Sequence, residues 1–139
     1  MKKKVFAFIM VLAMVFASSG NLVFAAESDY GVAPAYSYTC TCSVSLNISG
    51  SSATCTSSAT GYYGETTKIS VYQVLQKKTS SGAWTSMGSW QETDSGYKGY
   101  ASNIKSGLGS GTYRLYTVFT VYAGSNYETI EKYSSTKTI

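Results

Sequence analysis

The sequence predicts an all-β fold, an immunoglobulin-like antiparallel β-sandwich of about seven strands. Three observations carry that expectation. From about residue 39 onward, apolar and polar residues alternate with period two, and Gly- and Ser-rich turn signals interrupt the alternation about every ten residues. Ser and Thr make up about a third of the chain after residue 25, alongside 13 Tyr, a composition of strand formers and polar turns. No segment after Ala26 joins Ala, Leu, Glu and Lys at the period of a helix.

The chain opens with Met1 and Lys2-Lys3-Lys4, continues with an apolar run over 5–17, and reaches a polar stretch ending Val23-Phe24-Ala25. This is the three-part pattern of a secretory signal peptide, so 1–25 is expected to be removed and the protein to be secreted and extracellular. The apolar run is roughly 13 residues, short of the ~20 that a transmembrane helix needs, and no membrane partner is expected after cleavage. Residues 26–38 hold the only Pro and read as an exposed leader, followed by one domain over 39–139.

The signal also accounts for the apparent basicity. Of the 11 Lys and Arg set against 7 Asp and Glu, three lysines lie in the signal, which leaves eight against seven. Lys77-Lys78 is the only adjacent basic pair that remains, and a nucleic-acid partner, which needs clustered positive charge, is not expected.

The elements follow in order. In the first strand, Cys42, Val44, Leu46 and Ile48 share one face, and "SGSS" then turns the chain into a second strand carrying Ala53 and Cys55. After the loop "GYYGETT", the strand over 68–79 has Ile69, Val71 and Leu75 on one face and Tyr72 and Val74 on the other. A turn at "SSGAW" leads to a short strand bearing Trp84 and Trp90, "ETDSG" reads as the next turn, and "YKGYASNI" is a weak strand containing a Gly. The flexible "KSGLGSG" feeds the sixth strand, "GTYRLYTVFTVYAG", whose odd positions Leu115, Thr117, Phe119 and Val121 oppose Arg114, Tyr116, Val118, Thr120 and Tyr122. Arg114 is costly to bury unpaired, so the odd face is the inner one, and Tyr113 takes the place of the corner tyrosine. The last strand, "YETIEKYSSTKT", is the most polar.

The segments "KISVYQVLQKKTSSGAWTSMGSW" and "GTYRLYTVFTVY" resemble a family of small secreted Gram-positive bacterial proteins, each a signal peptide followed by one immunoglobulin-like domain. The resemblance runs from about Cys42 to the end. It implies the fold and export, and because its motifs are framework features it assigns no catalytic or binding residue.

The chain contains no His, which removes His-based acid/base catalysis, Ser/His and Cys/His nucleophiles, and the commonest metal ligand. No enzyme activity, no cofactor and no metal site is expected. Glu92 and Asp94 are two apart and share a strand face, the spacing of a carboxylate pair, but "ETDSG" reads more simply as a solvated turn with Asp94 bonded to its own backbone. Asn47-Ile48-Ser49 matches a glycosylation acceptor, and a bacterial signal argues for an unmodified turn approach.

Three cysteines, Cys40, Cys42 and Cys55, sit in an expectedly oxidising compartment. The sandwich-spanning disulfide of antibody domains is excluded because the sixth strand has no Cys. A staple between the first two strands is expected instead, Cys42 to Cys55, with Cys40 to Cys55 the alternative. Cys40 is then a free thiol through which a disulfide-linked homodimer could form. Three cysteines at this spacing do not make a zinc site.

The outer face of the third and sixth strands is the candidate binding surface. Tyr72 and Val74 on one line up with Tyr116, Val118 and Tyr122 on the other, and Tyr supplies contact area at low entropic cost. The function expected is that of a secreted binding module for a polysaccharide, a cell-wall component or a protein. The alternatives are a structural or self-assembling protein that uses Cys40 or a sheet edge, and a small toxin- or bacteriocin-like effector.

Overall fold

The computed structural model describes residues 36–139, so the expected signal peptide and all but the last three residues of the expected leader lie outside the described residues. Eight strands follow in order: β1 (Thr39–Ser49), β2 (Ser52–Gly61), β3 (Lys68–Lys78), β4 (Trp84–Ser95), β5 (Lys98–Lys105), β6 (Thr112–Ala123), β7 (Asn126–Tyr133) and β8 (Lys137–Thr138). A three-stranded sheet, β1-β2-β5, faces a five-stranded one, β4-β3-β6-β7, to which β8 is added through β6. Every pairing is antiparallel. The result is an immunoglobulin-like β-sandwich, with sheet changes after β2, β4 and β5.

The inner faces obey the alternation of the sequence. On β6, Tyr113, Leu115, Thr117, Phe119 and Val121 are all fully buried, and Ile69, Val71 and Leu75 meet them from β3. These residues build two apolar clusters. Leu46, Cys55, Leu75 and Leu115 belong to one, and Ile69, Val71, Phe119 and Ile130 to the other. A polar belt lies between them. The Gln73 amide donates to Ser57 Oγ at 2.7 Å and to the Cys55 carbonyl at 3.2 Å, and its oxygen accepts from Asn103 Nδ2 at 2.8 Å. Ser57 Oγ and Thr117 Oγ1 are 2.8 Å apart. Burying these groups is tolerable because each is hydrogen-bonded.

Tyr113 is the corner tyrosine that the sequence predicts, its hydroxyl donating to the Gly109 carbonyl at 2.7 Å. Gly99, the Gly inside the weak strand β5, is needed where the two sheets approach, since a Cβ there would lie 2.5 Å from Ile69 Cγ2.

Three expectations need correction. First, Cys42 and Cys55 do not form a disulfide, and neither do Cys40 and Cys55: all three thiols are free. The turn between β1 and β2 is a two-residue loop with Gly50 at φ 59°, which pairs Ser49 with Ser52. That register sets Cys55 opposite Leu46 and Cys42 opposite Ala59, so the two cysteines are four pairs apart, about 13 Å along the strand, well beyond disulfide reach. Second, β4 does not turn at "ETDSG" but continues to Ser95, its polar residues paired one for one with β3. Third, the last strand is broken: the Leu115 amide donates to Ser134 Oγ, a side chain taking the place of a ladder carbonyl, and the chain rejoins β6 only at Lys137.

Charged side chains bridge both open sides of the sandwich. From β7, Glu128 accepts from the Ser37 and Tyr38 amides and the Thr39 hydroxyl at 2.7–2.9 Å, and Lys132 Nζ donates to the Cys42 carbonyl at 3.0 Å. On the opposite side Asp94 of β4 accepts from the Tyr100 amide of β5 at 2.8 Å. Asp94 is therefore a structural acceptor between sheets.

Candidate functional site

The outer face of the five-stranded sheet is built from the even-numbered positions of β3 and β6. Tyr72 pairs with Val118, Val74 with Tyr116 and Lys68 with Tyr122. The five residues singled out by the sequence therefore share one face, as alternation requires. Their exposures differ. Tyr72 is 41% exposed and Val118, Tyr116 and Tyr122 are half-buried, whereas Val74 is only 8% exposed. Val74 sits on a central strand directly across from Tyr116, with Ser89 of β4 on its other side, so it is a floor residue and not a contact.

Two tyrosines of β7 complete the face. Pairing puts Tyr133 beside Tyr116 and Tyr127 beside Tyr122. The Tyr116 and Tyr133 rings stack with centroids 5.0 Å apart at 29°, and the Tyr122 and Tyr127 rings lie 5.7 Å apart at 43°. Tyr127 and Tyr133 are the outward members of each pair and are exposed. Burial first, and the Glu131 carboxylate second, hold the Tyr116 phenol above its ordinary pKa.

Cations fix the rings from both ends. The Arg114 guanidinium lies 4.1 Å from the Trp84 ring centroid and 4.3 Å from that of Tyr133, and its Nε donates to Gln76 Oε1 at 2.8 Å. At the other end Lys68 Nζ sits 4.1 Å over the Tyr122 ring. Stacked cations and offset rings hold an aromatic surface in a defined arrangement. The sequence signals for Tyr127 and Tyr133 were present, since they fall in phase with Thr129 and Glu131 on one strand face. Trp84 is brought to Arg114 only by the placement of β4 beside β3.

The face is shallow: no cavity opens among the described residues, and none of them form a cluster of metal-ligating side chains. Glu92 and Asp94 share the opposite, inner side of β4, where they pair with Val71 and Ile69. No described helix is long and apolar enough to cross a membrane. Cys40 is exposed, its Sγ 3.4 Å from the Gly61 carbonyl, while burial raises the Cys42 and Cys55 thiols to about 11.

No family model and no curated protein matches the chain. Among solved structures, wild-type OgpA from Akkermansia muciniphila is similar at 14% identity and a TM-score of 0.45, over 73% of this chain and 29% of that one. A catalytically inactive OgpA in complex with an O-glycopeptide (glycodrosocin) substrate is similar at 15% identity and a TM-score of 0.44, over 76% of this chain and 31% of that one. CsgH of R. palustris gives 14% identity and a TM-score of 0.40, over 65% of this chain and 87% of that one. The chain thus spans about three-tenths of the length of OgpA. At these identities the likeness says nothing of this chain's activity.

Proposed function

We propose that the protein is a secreted, non-enzymatic binding module that holds a polysaccharide against the outer face of its β4-β3-β6-β7 sheet. The observation that supports this is the aromatic run on that face, in which Tyr72, Tyr127 and Tyr133 turn exposed rings outward over the stacked floor of Tyr116 and Tyr122. Sugar rings present apolar C–H faces to such rings and hydroxyls to the phenol rims, which suits a shallow aromatic surface. An exposed contiguous patch of this kind marks an interaction surface more than scattered tyrosines do. The absence of His from the sequence favours a binder over a catalyst.

Co-sedimentation of the secreted domain with insoluble polysaccharides and bacterial cell walls tests the reading, run beside a folded Tyr72→Ser/Tyr127→Ser/Tyr133→Ser variant. Retention of the parent with loss in the variant is the expected result; equal retention of both removes the face from the argument.

A second reading rests on the exposed Cys40 thiol at the bulged start of β1, through which two copies would join. Non-reducing electrophoresis of the secreted protein decides it, a monomer at every concentration counting against the dimer.

A further inference from the structure

Arg114 has no ion-pair partner among the described residues, although it stands on a half-buried outer position of a central strand. Its guanidinium lies over the Trp84 and Tyr133 rings, and its Nε donates to Gln76. What such a guanidinium still offers is its outer edge, the Nη N–H groups that bind a carboxylate in the plane of the fork. Holding it between two rings has already restricted its rotamers, so little more is lost when an acid docks.

The charge around it has a consistent sign. Lys78 approaches the same Trp84 ring at 6.0 Å, and Lys68 caps the opposite end of the face on Tyr122. Arg114 and Tyr122 are eight residues apart on one strand, about 26 Å, with Tyr116 and Tyr72 between them. Glu131, across from Val118, is the one carboxylate on this face, and it lies beside the tyrosine floor and not at either cationic end.

We infer that the ligand is an acidic polysaccharide, one whose sugar carboxylates are read by the Arg114 fork while its rings lie on the tyrosines. The inference rests on the polysaccharide reading of the face and specifies its chemistry. A neutral glycan would leave the outer edge of the Arg114 fork unused, and a bare polyanion would leave the exposed tyrosines unused.

Affinity electrophoresis of the parent protein through gels containing polygalacturonate, its carboxyl-reduced counterpart, or polyglutamate tests it. The expected result is retardation by polygalacturonate at least tenfold stronger than by the reduced polymer or by polyglutamate. Arg114→Gln is expected to weaken the acidic glycan about tenfold more than it weakens the reduced one, and Arg114→Lys, which keeps the charge and loses the fork, to recover only part of that difference. Equal binding of the acidic and reduced glycans, lost in the tyrosine variant, overturns the acidic preference and leaves the polysaccharide reading standing. Polyglutamate binding as strong as that of polygalacturonate overturns the sugar-specific inference, and binding of none of the three overturns both. A circular dichroism melt of each variant within a few degrees of the parent ensures that loss of binding is read from folded protein.

Discussion

Thr117→Val separates two opposite expectations for the polar belt inside the sandwich. The residue is fully buried, and valine is its near-isostere with a methyl in place of the hydroxyl. Transfer arguments alone would credit the extra methyl with up to about 0.8 kcal/mol. The hydrogen-bond geometry predicts the reverse sign. Ser57 Oγ accepts from the Gln73 amide and shares a second hydrogen bond with Thr117 Oγ1, 2.8 Å away, in which either hydroxyl can donate. Removing the Thr117 hydroxyl takes this partner from Ser57, a residue that is 1% exposed, at a cost of about 1–3 kcal/mol. The net is a destabilisation of about 1.5 kcal/mol. For a domain spanning Tyr36–Ile139 the unfolding entropy is about 0.2 kcal/mol/K, so the melting temperature should fall about 7 °C. Urea unfolding and calorimetry read the two quantities, and a Thr117→Val/Ser57→Ala double variant is expected to lose less than the sum of its singles. A Thr117→Val protein that melts at or above the parent would refute the reasoning, because the belt would then be dispensable.

Four further outcomes are expected. Tyr113→Phe keeps the buried ring and loses the bond to the Gly109 carbonyl; since Gly109 is exposed and its carbonyl can rehydrate, the cost is about 1 kcal/mol, read as a melting shift near 5 °C. Gly99→Ala drives a methyl into Ile69 and should cost about 1–3 kcal/mol in urea unfolding. With Ellman's reagent at pH 8, one thiol per chain should react rapidly in the native protein and three after unfolding, because burial keeps the Cys42 and Cys55 thiols protonated up to about 11 while the thiolate is the nucleophile. The same raised values stabilise the fold fully below the unfolded thiol pKa near 9, and that contribution disappears as pH rises toward 11; a melting temperature that falls less over this window in Cys42→Ser/Cys55→Ala than in the parent is the expected sign.

How legible the fold was depended on where each residue sits. On β6, a single charged residue, Arg114, was enough to orient the whole strand, because alternation then fixes Leu115, Phe119 and Val121 inward. Tyr113 was legible from its place near the start of that strand. The register of β1 on β2 was not, since Gly50 and Ser51 complete the turn alone, two residues further along the chain than the turn that would set Cys42 opposite Cys55. The extent of β4 was hidden for another reason: its polar residues are held by pairing with β3 and not by their own propensity. Gln73 and Thr117 reached the core against their polarity, and only three-dimensional neighbours explain how they are satisfied. For the candidate face, the tyrosines of β3 and β6 were readable from period and pairing alone. The Trp84-Arg114-Tyr133 stack joins side chains from three strands and needed the sheet order.

The reach of Glu128 and Lys132 from β7 across to β1 has a consequence for how that edge meets other chains. β1 is an edge strand, and such a strand ordinarily offers its spare amides and carbonyls as a template for another chain. Here the Ser37 and Tyr38 amides, just ahead of the strand, are already bonded to Glu128, and the Cys42 carbonyl within it to Lys132. β-Addition at the start of that edge would have to displace these bonds, which makes the entry to β1 a poor template for another chain.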